Sequence, residues 1–239
     1  MTPYLQSLKE CFEQHADPSQ AAPMKAYMRN QFEFLGIKGP AQKTLIKQFL
    51  ADHGLPALDQ LEAVVRELWT WPEREYQYVA LTFLGRWQKQ LTPDLVPLLE
   101  HLITTRAWWD TVDSIASHSV GNLLQQYPDC RDAVINTWRD SGNFWLRRTT
   151  LLFQLGYKAD TDAALLFSLV EQNSRSKEFF IQKAIGWALR EYSKTAPDAV
   201  QDFVASTPLA SLSQREALKW LKANGQLRGW AQTPFTTDE

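Results

Sequence analysis

The sequence predicts an all-α fold, an α-solenoid of about six HEAT-like helix pairs that line a concave groove. Three observations predict it. Apolar residues recur at helical spacing through nearly every segment. No run alternates with period two, and no Asn-Gly or Asp-Gly turn separates two strand-like runs. Finally, positions thirty-five residues apart, namely Lys43, Tyr78, Asp113, Arg148 and Lys183, share a local pattern of polar residues followed by small and apolar ones. A fixed period of this length marks stacked helix pairs.

The elements follow from the spacing and the punctuation. Leu61, Val64, Val65 and Leu68 have the i, i+3, i+4, i+7 spacing of an amphipathic helix. So do Leu95, Leu98, Leu99 and Leu102, and the run Leu165, Leu166 and Leu169 extends the pattern. Thr92-Pro93-Asp94 reads as an N-cap, a proline at the first helical position and an acid facing the dipole. Gly36, Gly54, Gly156 and Gly225 stand where helices should stop. About a dozen helices with short connections are expected. No Gly-, Ser- or Pro-rich linker divides the chain, so residues 1–228 read as a single domain and residues 229–239 as a flexible C-terminal tail.

Composition bounds the class. The 239 residues are 44% hydrophobic and 22% charged, enough for a core and too apolar for disorder. No apolar run approaches a membrane span. The N-terminus shows no basic n-region followed by an apolar h-region, so a cytoplasmic location is the expectation. Cys11 and Cys130 read as thiols rather than a disulfide. The net charge is −2, yet residues 175–228 hold nine Lys or Arg against five Asp or Glu, so basic charge gathers toward the C-terminal part.

In stacked repeats, equivalent positions fall in a row along one surface. Here that row is basic or aromatic with one carboxylate, Asp113, in the middle. Such a row is either a solvated face or a binding groove. Trp109 and Asp113 share a helix face at i, i+4. Phe144 and Trp145 precede Arg148 by one turn, and Trp187 follows Lys183 by one turn. Alternating cations and indoles suit an anionic backbone with a cationic or sugar moiety resting on the rings. His15, His53, His101 and His118 are scattered and the cysteines are far apart, so neither a metal nor a cofactor is expected. A catalytic Asp113 would therefore work as a lone carboxylate. Glycosidic cleavage passes through an oxocarbenium-like state that a carboxylate stabilises. A leaving base that is already cationic needs no general acid, because it departs neutral.

Five blocks then carry a resemblance. They are Pro23–Met28 with Phe34–Ile37, Arg66–Trp69 with Pro72–Glu75, Trp108–Ser114, Trp145–Arg148 and Ser176–Trp187. With them the sequence closely resembles the AlkD-type bacterial DNA glycosylases, all-helical HEAT-like proteins of the DNA alkylation repair group, over roughly Tyr4 to Leu221. The resemblance implies excision of cationic N3- and N7-alkylpurines from duplex DNA, with no base-flipping pocket. No heptad seam or large spare apolar stripe stands out, so a monomer with no obligate protein partner is expected. The resemblance assigns Asp113 to stabilising the sugar cation and positioning water, and Trp109 and Trp187 to packing against the deoxyribose. It assigns Arg148 to a phosphate near the lesion and brings Tyr27 beside the same site. Lys43, Tyr78, Lys183, Arg190, Lys219 and Lys222 complete the expected DNA-binding set. Asp113→Asn is expected to spare folding and DNA binding while reducing excision by orders of magnitude. The alternative is a non-catalytic HEAT-like scaffold for an acidic partner, or a sensor of damaged DNA.

Overall fold

The computed structural model describes residues 2–228, so the tail expected at 229–239 lies outside the described residues. The described residues form helices joined by short connections, and their only β-type pairing is one isolated parallel bridge between Glu33 and Glu73. They fall into two compact units that meet in sequence at Leu102 and Ile103. None of their helices is long and apolar enough to cross a membrane.

The first unit holds α1 (Pro3–Glu13), α2 (Pro18–Tyr27), α3 (Gly39–His53), α4 (Leu61–Thr70) and α5 (Arg74–Arg86). The Thr2 hydroxyl caps α1 by accepting from the Leu5 amide, and Leu5, Leu8 and Phe12 bury its apolar stripe. Helix α4 buries Leu61, Val64, Val65 and Leu68, the spacing read from the sequence. Helix α2 buries none of its side chains, so something other than its own packing must hold it. Two of the sequence blocks supply that support. The Glu75 carboxylate, fully buried on α5, accepts from the backbone amides of Leu35, Gly36 and Ile37 at 3.1, 2.9 and 3.1 Å. Asp17, the N-cap of α2, donates its amide to the Leu35 carbonyl. Gly36 has φ of +92°, and a Cβ there would lie 2.0 Å from the Asp17 carbonyl oxygen. It therefore ends no helix, contrary to the expectation; it lets the connector pass against the start of α2. Arg74 is also buried, its guanidinium 3.8 Å from the centre of the Phe32 ring.

The second unit continues from the end of α6 (Val96–Thr104), the helix in which the two units meet. The expected cap at Thr92 opens a single 3-10 turn, Pro93–Leu95, before α6 begins. Next come α7 (Trp109–Ser114), a π-helical segment (Ile115–Val120) and α8 (Gly121–Gln126), which follow one another without a break. The later helices are α9 (Pro128–Arg139), α10 (Phe144–Leu152), α11 (Ala163–Asn173), α12 (Phe179–Ser193), α13 (Pro197–Ser206) and α14 (Ser211–Ala223). Helix α10 packs on α7 and on α12, and α12 packs on α14, so these four form one row. Helix α9 packs on α8 and α10, α11 on α10 and α12, and α13 on α12 and α14. The main packing partners of these helices are thus the next one or two in the order of packing, as in a stack of pairs. Asp113, Arg148 and Lys183 stand on three successive helices of that row.

The π segment was not legible from periodicity. Widening the turn displaces backbone hydrogen bonds, and side chains take their place. Ser117 Oγ donates to the Asp113 carbonyl at 2.7 Å, and His118 Nδ1 lies 3.1 Å from the Ser114 carbonyl. At its end Gly121 makes room for another chain segment, since a Cβ there would lie 2.4 Å from the Phe153 carbonyl oxygen.

Candidate active site

Asp113 belongs to α7, one turn after Trp109, and only 9% of it is exposed. A carboxylate this far from water needs a partner. The partner is Arg148 on α10, itself 4% exposed. Its Nε and Nη2 donate to the two Asp113 oxygens at 2.6 and 2.8 Å, a bidentate fork. Its Nη1 donates to the backbone carbonyl of Phe180, in the first turn of α12. One guanidinium thus ties three helices of the row together.

Local sequence explains why these groups meet. Asn143 caps α10 by accepting from the Trp145 and Leu146 amides at 2.8 and 3.4 Å, which sets the start of the helix and so the heading of Arg148. One ring, that of Phe180, has its centre 5.8 Å from the Arg148 guanidinium carbon. Phe180 belongs to a cluster of four rings: Trp108 stands 5.2 Å from Phe180 and 6.1 Å from Trp145, and Phe144 stands 4.6 Å from Trp145. Burial pushes the Asp113 carboxyl above the ordinary carboxylate range. The bonds and charge of Arg148 pull it back, and neighbouring Asp110 adds to the rise.

The structure distributes the other expected residues unevenly. Trp109 and Trp187 are both half-buried. Trp187 walls a cleft of about 380 Å³ together with Ser117 and His118 from the turn after Asp113, and with Tyr157 and Glu191. Arg148 is not presented to a phosphate: all three of its side-chain nitrogens are committed inside the protein. Lys183 and Arg190 on α12 are both ion-paired to Glu216 of α14. Lys219 and Lys222 are exposed on α14. In the first unit Tyr27 is 71% exposed, Lys43 is exposed on α3, and Tyr27 and Tyr78 line one apolar groove with Met24, Phe34 and Lys38. Among the described residues no group of three or more His, Cys, Asp or Glu is placed to hold a metal ion.

Sequence reading missed Phe180, whose contribution is a backbone carbonyl, and Glu216, which lies outside the thirty-five-residue register. It also passed over Arg147. That residue is half-buried beside Arg148, and its Nε has no hydrogen-bond partner among the described residues.

A sequence model of DNA alkylation repair enzymes matches residues 8–221, which take in every one of these side chains except Lys222. The chain belongs to the DNA alkylation repair enzyme family. Two solved structures resemble this family member. One is described as a predicted DNA alkylation repair enzyme from Enterococcus faecalis. It is 35% identical, covers 86% of this chain and 96% of its own, and superimposes with a TM-score of 0.79. The other, AlkD2 from Streptococcus mutans, is 15% identical, covers 79% of this chain and 90% of its own, and has a TM-score of 0.57, a likeness of fold. No curated protein matches the chain. The family assigns the chain to alkylation repair, and the AlkD-type resemblance of the sequence agrees with both neighbours.

Proposed function

We propose that this family member is a monofunctional DNA glycosylase that hydrolyses the N-glycosidic bond of cationic N3- and N7-alkylpurines in duplex DNA. The observation that carries the reading is the Asp113–Arg148 pair. It is a carboxylate kept ionised by a buried guanidinium, with an indole one helical turn away on the same helix. As the C1′–N bond breaks, its electron pair leaves with the base, which departs neutral. Positive charge then develops on the deoxyribose, and the fixed carboxylate stabilises it. Water adds to C1′ and loses a proton, giving the abasic site. Asp113 holds that water, and Trp109 and Trp187 present negative ring faces to the sugar cation.

In this reading Arg148 is a positioning residue: it orients Asp113 and keeps it charged. The phosphate contact that the sequence assigned to it passes to neighbouring cations, Arg147 first, with Lys43, Lys183, Arg190, Lys219 and Lys222 along the duplex and Tyr27 and Tyr78 beside it. The enzyme works as a monomer in the bacterial cytoplasm, without a cofactor, an obligate protein partner or an enclosed pocket for a flipped base.

The test is release of free 7-methylguanine from methylated duplex DNA, with wild type beside Asp113→Asn. Release by wild type alone is expected. Equal release by both would refute the role of Asp113, and binding of duplex without release by either would leave a scaffold or sensor. Comparing methyl with much larger N7 adducts tests the open site. Similar rates are expected, and a collapse for the large adduct would mean an enclosed pocket.

A further inference from the structure

Helix α12 carries Lys183, Trp187 and Arg190 at i, i+4 and i+7, one stripe on one face. Both cations of that stripe are held by one carboxylate from the next helix of the row. The two Glu216 oxygens lie 2.9 Å from Lys183 Nζ and 3.0 Å from Arg190 Nη1, one oxygen to each cation. The Glu216 side chain is 16% exposed, against 37% for Lys183 and 26% for Arg190. The cations hold its carboxyl below the ordinary range, so it is charged throughout the neutral region.

The approach that brings Glu216 there is built into the sequence. Gly186 lies between the two cations on α12, and a Cβ on it would stand 2.4 Å from the Glu216 Cβ and 3.0 Å from the Ser213 carbonyl oxygen. Only glycine lets α14 come this close. Glu216 is therefore a seated counter-ion, and it reduces two positive charges beside Trp187 to one.

We propose that Glu216 is a built-in counter-ion that limits affinity for any DNA duplex by occupying, on Lys183 and Arg190, the place a backbone phosphate would take. The inference rests on the DNA-binding reading above. A phosphate arriving at the stripe must compete with a carboxylate that is already bonded. Grip on any duplex is weakened alike, and what distinguishes a lesion, its own positive charge, is left to the Asp113 site.

The experiment is a fluorescence-anisotropy titration of an undamaged duplex by the full chain, from 50 to 200 mM salt. Wild type is compared with Glu216→Gln, Glu216→Ala and Glu216→Asp. Each phosphate contact contributes about −0.9 to the slope of log K against log salt. Both uncharged variants are expected to steepen the slope by roughly one contact and to bind about five- to tenfold tighter at 0.1 M salt. Glu216→Asp, which keeps the charge, is expected to retain the wild-type slope. Unchanged or weakened binding by the uncharged variants would overturn the proposal. So would steepening by Glu216→Asp, since the effect would then be one of packing. Failure of wild type to bind any duplex would sink the DNA-binding reading itself, a separate result.

Discussion

Among the described residues two carboxylates are buried, one in each unit, and they are satisfied in opposite ways. Glu75 is met by three consecutive backbone amides. Asp113 is met by one side chain, Arg148, through two parallel bonds. Burial raises both carboxyls, and their partners pull both back. The difference lies in what each partner can do next. Backbone amides in a connector are committed to the fold, so Glu75 can only hold that connector against α2. A guanidinium carries a full charge, so it opposes the effect of burial on Asp113 and favours the ionised carboxylate that the proposed chemistry needs. A buried acid alone marks neither role; the nature of its partner does.

The largest expected effect separates chemistry from stability at Asp113. Asp113→Asn should lower excision by about 10²–10³-fold, the loss of one fixed charge facing a developing cation. It should also destabilise the protein, by up to about 3–5 kcal/mol, because it leaves Arg148 buried and under-paired. Spacing alone leads to the expectation that the variant spares folding; the buried pair leads to the opposite one, and the melting temperature of Asp113→Asn decides between them. Adding Arg148→Gln should recover part of the melting temperature and none of the excision. Recovery of both would mean that Asp113 acts only through the fold.

Glu75→Gln comes next and should reverse the balance. Losing charge-assisted bonds to three amides should cost about 1.5–3 kcal/mol in denaturant unfolding. The pH profile of excision by the folded fraction should not move. A shifted profile would draw Glu75 into the chemistry.

Arg148→Gln alone sharpens the comparison through pH. Asp113 must be ionised to act, and its carboxyl already lies above the usual value of about 3.9. Excision should therefore fall as pH drops through that raised value, with the acid limb above the ordinary carboxylate range. Without Arg148 nothing opposes burial, so the limb should move to still higher pH. A limb that stays put would show that Arg148 does not keep Asp113 charged. The smallest effect belongs to Trp187→Ala, which removes one contact among several. A loss near tenfold in excision is expected, the equivalent of about 1.4 kcal/mol, and a loss equal to that of Asp113→Asn would assign the indole a larger share.

Much of this was legible in the chain. The helical class, the buried stripe of α4 and the placing of Trp109 one turn before Asp113 follow from period and spacing, because helical geometry maps sequence distance onto faces. The thirty-five-residue register puts Asp113, Arg148 and Lys183 at equivalent positions, and they stand on successive helices of one row. Spacing along a chain specifies which helix and which face, but not what lies opposite. So Arg148 was read as meeting DNA, when its fork faces Asp113. Lys183 and Arg190 were read as open cations, when Glu216 sits between them.

Sequence by itself determined the elements, their stacking period and the residue types at the site, because these depend on local periodicity and on side-chain chemistry. Tertiary structure alone decided the pairings: Asp113 with Arg148, Glu75 with the 35–37 amides, and Glu216 with two cations across the gap at Gly186. Each depends on helices distant in sequence approaching within hydrogen-bond reach. In a low-dielectric interior a shift of an ångström decides whether a charge is stabilised or stranded.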